Sequence, residues 1–153
     1  MSTPSLRGPA LLHLDFPWGA AQPRAWRWVV ATVLAIAVSI AACAGLAALG
    51  VALFPSTAGY GHYQFGDYAR LTFIGVLGAS IGWPLTTLVT TRARRLYLWL
   101  AIIVTVVSFA PDVWILRGGQ PASAVADLAV MHVAVAVVTY LSMIVIAPQR
   151  ARR

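Results

Sequence analysis

Residues 75–95 read GVLGASIGWPLTTLVTTRARR. The stretch has an apolar run with glycines at 75, 78 and 82, a Trp83-Pro84 pair, threonines at 86, 87, 90 and 91, and then Arg92, Arg94 and Arg95. Read as a membrane segment, it supplies a close-packing face, a bend and a charged stop. On a helix of about 3.6 residues per turn the three glycines fall within roughly 60° of one another, and Gly78 with Gly82 forms a GxxxG pair. Water cannot drive helices together in lipid, so close van der Waals approach at small residues does it instead. Pro84 removes a backbone donor and bends the helix near Ile81. The neighbouring threonine hydroxyls are suited to the carbonyls it frees.

The composition around this stretch agrees with a bilayer. Of 153 residues, 60% are hydrophobic and only 10% charged, too little polar surface for a soluble domain of this size. The length fits one domain. There is no Lys and no Glu, so the net charge of +7 is carried by arginine. The arginines stand in short clusters between apolar runs, the pattern of topology determinants and of contacts with anionic lipid head groups. With no recognition motif beside them, they do not point to nucleic acid. A single cysteine, Cys43, excludes an intramolecular disulfide and any multi-cysteine metal site.

Working outward, residues 1–25 carry Pro4, Pro9, Pro17 and Pro23 and read as a flexible cytoplasmic tail touching the head groups through Phe16 and Trp18. Trp26, Arg27 and Trp28 form an interfacial anchor at the head of a transmembrane domain spanning 26–148. Its first span, 28–54, is longer than the ~20 residues a helix needs to cross. Ile40-Ala41-Ala42-Cys43 resembles a lipoprotein processing site, but the apolar run continues well past Cys43. The reading adopted is an uncleaved helix with a buried thiol. Its strip of Ala37, Ala41, Ala44, Gly45 and Ala48 is expected to receive Gly75, Gly78 and Gly82. An aromatic, glycine-rich loop, 55–70, suits the membrane–water boundary. The second span is 71–91, the third 96–116 with Pro111-Asp112 at its far end, and the fourth 122–147, followed by a basic tail at 149–153.

The N-terminal tail, the second loop and the C-terminal tail carry nine arginines, against Arg70 and Arg117 in the other two loops. The positive-inside rule therefore places both termini in the cytoplasm. The fold expected is an all-α bundle of four transmembrane helices.

Ionisable groups within a bilayer are the natural functional candidates. Asp112 lies about 25 Å of helix beyond Arg95, at the outer interface, where water, a capping role or Arg117 would suffice for it. Asp127 is in the first turns of the fourth helix, where the macrodipole favours a carboxylate. His132 falls near the bilayer middle on a face with Ala129, Ala136, Thr139 and Met143, and a hydrogen bond to a backbone carbonyl or hydroxyl would satisfy it. Asp127 and His132 point about 140° apart on one helix, which argues against a metal site built from that helix alone. An Asp112–His132 or an Asp127–Arg117 contact stays open. No phosphate loop, His-Glu motif, nucleophile elbow or cysteine pair is present, so no catalytic residue, cofactor or metal site is assigned.

The block from Gly75 to Arg95 with its Gly82-Trp83, followed by Ser108, Pro111, Leu128, Met131-His132 and Ala147-Pro148, resembles a family of small bacterial four-helix membrane proteins. These are frequent in actinobacteria and catalogued only as a domain of unknown function. The resemblance covers about residues 27–148; it implies a four-helix fold and a bacterial cell membrane and carries no activity. The function expected is non-enzymatic: helix–helix association, as a homo-oligomer or as an accessory subunit of a membrane-protein partner. The alternative is a small transporter or proton-coupled carrier using His132 with Asp112 or Asp127.

Overall fold

The computed structural model describes residues 14–17, 19 and 21–150. Four helices dominate them: α1 (Ala25–Leu53), α2 (Phe65–Val89), α3 (Ala93–Arg117) and α4 (Ala122–Ile146). Two short 3-10 turns, Pro55–Thr57 and Gly61–Tyr63, fold the loop between α1 and α2. All four helices are long and apolar enough to cross a membrane. At ~1.5 Å per residue they measure roughly 37–43 Å, more than the ~30 Å hydrocarbon layer. Three of the helices begin ahead of the apolar runs that announce them, while α4 keeps the expected start. Helix α2, for example, begins at Phe65 rather than near 71, with Asp67 in its first turn, where a carboxylate meets the positive end of the helix dipole.

Helix α1 packs most extensively against α4 and next against α2, and α3 leans mainly on α4. Successive connections are short, so the chain runs up and down four times. The face that α1 buries is Ala31, Ala35, Ser39, Cys43 and Ala47, with Gly50 one turn on. Those first five recur every four residues, a small-xxx-small ridge along which helices approach closely. Helix α2 answers with Thr72, Val76, Ser80, Trp83 and Thr87. This corrects the expected pairing. Ala37, Ala41, Gly45 and Ala48 face away from the core, and Gly75 and Gly78 have open space where a side chain would stand. Only Gly82 meets a neighbour, Tyr97, at 3.9 Å from the position of a Cβ.

Pro84 is accommodated inside α2. Its missing N–H would have served the Ser80 carbonyl, and the Trp28 indole N–H donates there instead, at 2.8 Å. The threonines are otherwise engaged: Thr86 and Thr87 hydroxyls donate to the Trp83 and Pro84 carbonyls, three residues back. Pro111 likewise does not end α3, which continues to Arg117. In a membrane helix, neighbouring groups make such prolines tolerable.

The arginine-rich end is tied together by backbone. The Trp83 indole donates to the Ala147 carbonyl at 2.7 Å, and Arg27 Nε donates to that of Ile146. Both acceptors lie at the C-terminus of α4, where carbonyls lack helical partners. The tail, expected to be flexible to residue 25, is held from Asp15 onward. The Asp15 carboxylate accepts from the Thr91 N–H (2.7 Å) and hydroxyl (2.6 Å), and the Phe16 N–H donates to the Val89 carbonyl. Gln22 donates to the Pro84 carbonyl, and Arg150 donates to the carbonyls of Ala21 and Gln22. Residues 1–13, Trp18, Ala20 and 151–153 lie outside the described residues, so the expected head-group contact of Trp18 is not addressed.

Candidate functional site

Helix α3 buries only Ala93, Tyr97 and Asp112. Between the last two, side chains such as Ile103, Val104, Val106 and Val107 face outward. Tyr97 fastens one end: its ring meets Trp83 edge-on at 5.2 Å and stacks on Tyr140 at 5.8 Å, and its hydroxyl donates to the Ala79 carbonyl. Asp112 fastens the other.

The Asp112 side chain is 8% exposed and lies 3.3 Å from His132 Nδ1 on α4. The same Nδ1 stands 2.9 Å from the Leu128 carbonyl one turn back. A carbonyl only accepts, so a proton on Nδ1 serves that oxygen, while Asp112 Oδ2 lies against the ring without completing a hydrogen bond among the described residues. Phe109 closes one side, edge-on to the imidazole at 6.1 Å. The His132 side chain keeps 37% of its surface open. Of the two contacts left open by the sequence, the structure thus makes Asp112–His132. Asp112 is not in water or beside Arg117, because the His132 side chain reaches it from deeper in α4.

Asp127 occupies a different face, toward α1. An ideal Cβ on Gly50 would lie 2.8 Å from the Tyr63 hydroxyl and 2.9 Å from Asp127 Oδ2. The phenol and the carboxyl therefore converge over the bare Cα of Gly50. Neither completes a well-formed hydrogen bond among the described residues. About two turns back along α1 from Gly50, the Cys43 thiol lies 3.6 Å from the Thr72 hydroxyl. In the loop above, Tyr60 meets His62 and Tyr63 edge-on at 5.4 and 5.2 Å. Burial pushes the Tyr60 phenol above its ordinary range, and the Asp112 charge adds to this. Burial and the Asp127 carboxylate do the same to Tyr63. His62 and Asp67, 4.0 Å apart, are half exposed.

The end of the bundle away from the arginine clusters thus gathers two acid-containing pairs on three helices and a loop. Sequence reading found Asp112, Asp127 and His132 but not Gly50, Tyr60 or Tyr63. Only the glycine at a helix end hinted at a close approach. The described residues hold no group of three or more His, Cys, Asp or Glu side chains able to take a metal ion.

A family model matches residues 19–152, nearly the whole of this bundle. The chain belongs to DUF6069, a family of unknown function. No curated protein and no solved structure matches it. The DUF6069 match includes the four helices, both prolines and the His132–Asp112 pair, and assigns none of them a role.

Proposed function

We propose that this chain is a multi-pass protein of a bacterial cell membrane with both termini in the cytoplasm. In this reading it performs no catalysis and acts through contacts with other membrane helices, as a homo-oligomer or as an accessory subunit. The observation that carries it is the outward placement of Ala37, Ala41, Gly45 and Ala48 on α1 and of Gly75 and Gly78 on α2. These surfaces let another backbone come close, and the chain's own helices leave them unused. The excess of arginines at the end holding both tails supports the orientation. Native mass spectrometry of gently extracted protein tests the reading. A homo-oligomer or a retained second protein is expected, and Ala41→Leu or Gly78→Leu should release it; a bare monomer in both detergent and nanodiscs rejects it.

A second reading, a small proton-coupled carrier, is favoured by the His132–Asp112 distance of 3.3 Å. An acid and an imidazole in contact within an apolar bundle can exchange a proton, and the partly open imidazole gives it a route. Proteoliposomes enclosing a pH-sensitive dye distinguish the two. A carrier loses flux in His132→Leu while remaining folded; an association protein shows no flux to lose.

A further inference from the structure

The turn between α2 and α3 carries a depression of about 550 Å³ lined by Thr91, Arg92, Arg94, Arg95 and Gln149. Its walls are fixed rather than floppy. Ala93 is fully buried and pins the turn, so the arginines on either side of it are displayed outward. The Asp15 carboxylate holds Thr91 through two hydrogen bonds, and Gln149 donates to the Thr90 carbonyl at 2.8 Å. Arg94 is steadied from α4, where the Tyr140 hydroxyl donates to its carbonyl and its guanidinium reaches that of Ile144.

Three guanidinium groups thus face one open basin. Among the described residues Arg92, Arg94 and Arg95 form no ion pair, since the only ion pairs there are those of His62 and His132. Arginine's planar fork matches phosphate oxygens two at a time. The basin lies at the same end as Trp28 and Tyr140, part-exposed rings that hydrogen-bond to backbone there. Such amphipathic rings mark the depth of lipid head groups. Beside it Leu98 on α3 and Leu141 and Val145 on α4 are exposed, apolar surface along which acyl chains can lie. A water-soluble anion would have no use for that surface.

We propose that the α2–α3 turn is a binding site for the phosphate head group of an anionic phospholipid, held by Arg92, Arg94 and Arg95. The test is lipid retention in native mass spectrometry, using phosphatidylglycerol and phosphatidylcholine as probes. Wild-type protein should retain phosphatidylglycerol several-fold in preference to phosphatidylcholine. Arg94→Gln and Arg95→Gln should each lower that preference several-fold, while Arg117→Gln, an equal charge loss at the other end, should leave it intact. Arg94→Gln and Arg95→Gln each keep eight clustered arginines against two, and Arg117→Gln keeps nine against one, so orientation is preserved; Arg95 has no side-chain hydrogen bond among the described residues, which guards against misfolding as the cause. Equal retention of the two lipids, or equal loss in Arg117→Gln, overturns the site. Displacement of phosphatidylglycerol by soluble glycerol phosphate overturns the lipid as its occupant. The outcome does not depend on oligomeric state or on proton flux.

Discussion

The indole N–H of Trp28 donates to the carbonyl of Ser80, the acceptor that Pro84 leaves without its helical donor. The two residues belong to different helices, so a local defect in α2 becomes a tie to α1. Trp28→Phe should therefore destabilise the bundle by about 1–2 kcal/mol, the cost of a hydrogen bond lost to a buried acceptor. In Pro84→Ala the backbone N–H returns, and Trp28→Phe should then cost less. A double-mutant cycle measured by reversible unfolding in detergent reads the difference. Additive costs would mean that the indole and the proline are unrelated.

Gly50 and Gly78 should respond oppositely to the same substitution. A Cβ at Gly50 would stand 2.8 Å from the Tyr63 hydroxyl, whereas Gly78 has open space. Gly50→Ala should cost about 1–3 kcal/mol through overpacking, and adding Tyr63→Phe should recover part of it. Gly78→Ala should stay within about 0.5 kcal/mol. Equal effects at the two positions would contradict the packing described.

His132 and Asp112 should be energetically coupled. His132→Leu leaves a buried carboxyl facing a hydrocarbon side chain, and Asp112→Leu strands the imidazole. Each should cost about 1–2 kcal/mol, less than in a fully enclosed pair because the imidazole is 37% exposed. The double replacement by leucine should cost less than the sum of the two. A strictly additive result would show that the contact contributes nothing.

Tyr60 and Tyr63 should make the protein sensitive to alkali. Both phenols are raised above the ordinary value of 10.0 in the folded state. The unfolded chain therefore loses these protons first, so their contribution is fully present below pH 10 and declines as pH rises beyond it. In an absorbance titration of phenolate, the late-ionising component should shrink in Tyr60→Phe and again in Tyr63→Phe. Both variants should also lose less stability than wild type between neutral pH and the alkaline limb. Unchanged titration curves would count against the environment described for these rings.

The four helices could be read from the sequence because apolar runs, prolines and arginine clusters are local signals that the bilayer makes decisive. Which faces meet was not legible. In α1 the ridge Ala31–Ala35–Ser39–Cys43–Ala47 and the opposite strip Ala37–Ala41–Gly45–Ala48 are both made of small residues, and glycine content favoured the wrong one. What selects the first is the shape of α4 and α2 across from it, information spread over three helices. Counting residues along α3 places Asp112 near the boundary but does not show that it is buried against His132 of α4. The Gly50–Tyr63–Asp127 convergence joins a helix end, a loop and another helix, with no spacing rule to reveal it. Trp28 read only as a boundary anchor, and its bond to the Ser80 carbonyl is a partner the sequence did not specify.

The two fastenings of α3 are unlike in kind. Near the arginine end Tyr97 is gripped by two aromatic rings and a carbonyl, close to the strap formed by the N-terminal segment. Fifteen residues on, roughly 22 Å of helix, the Asp112 carboxyl and the Phe109 ring hold it against His132. Helix α3 is in this sense a lever with a firm fulcrum and a lighter latch. Loosening begins where fastenings are fewest, so backbone amides of α3 around Asp112 should exchange with solvent before those around Tyr97.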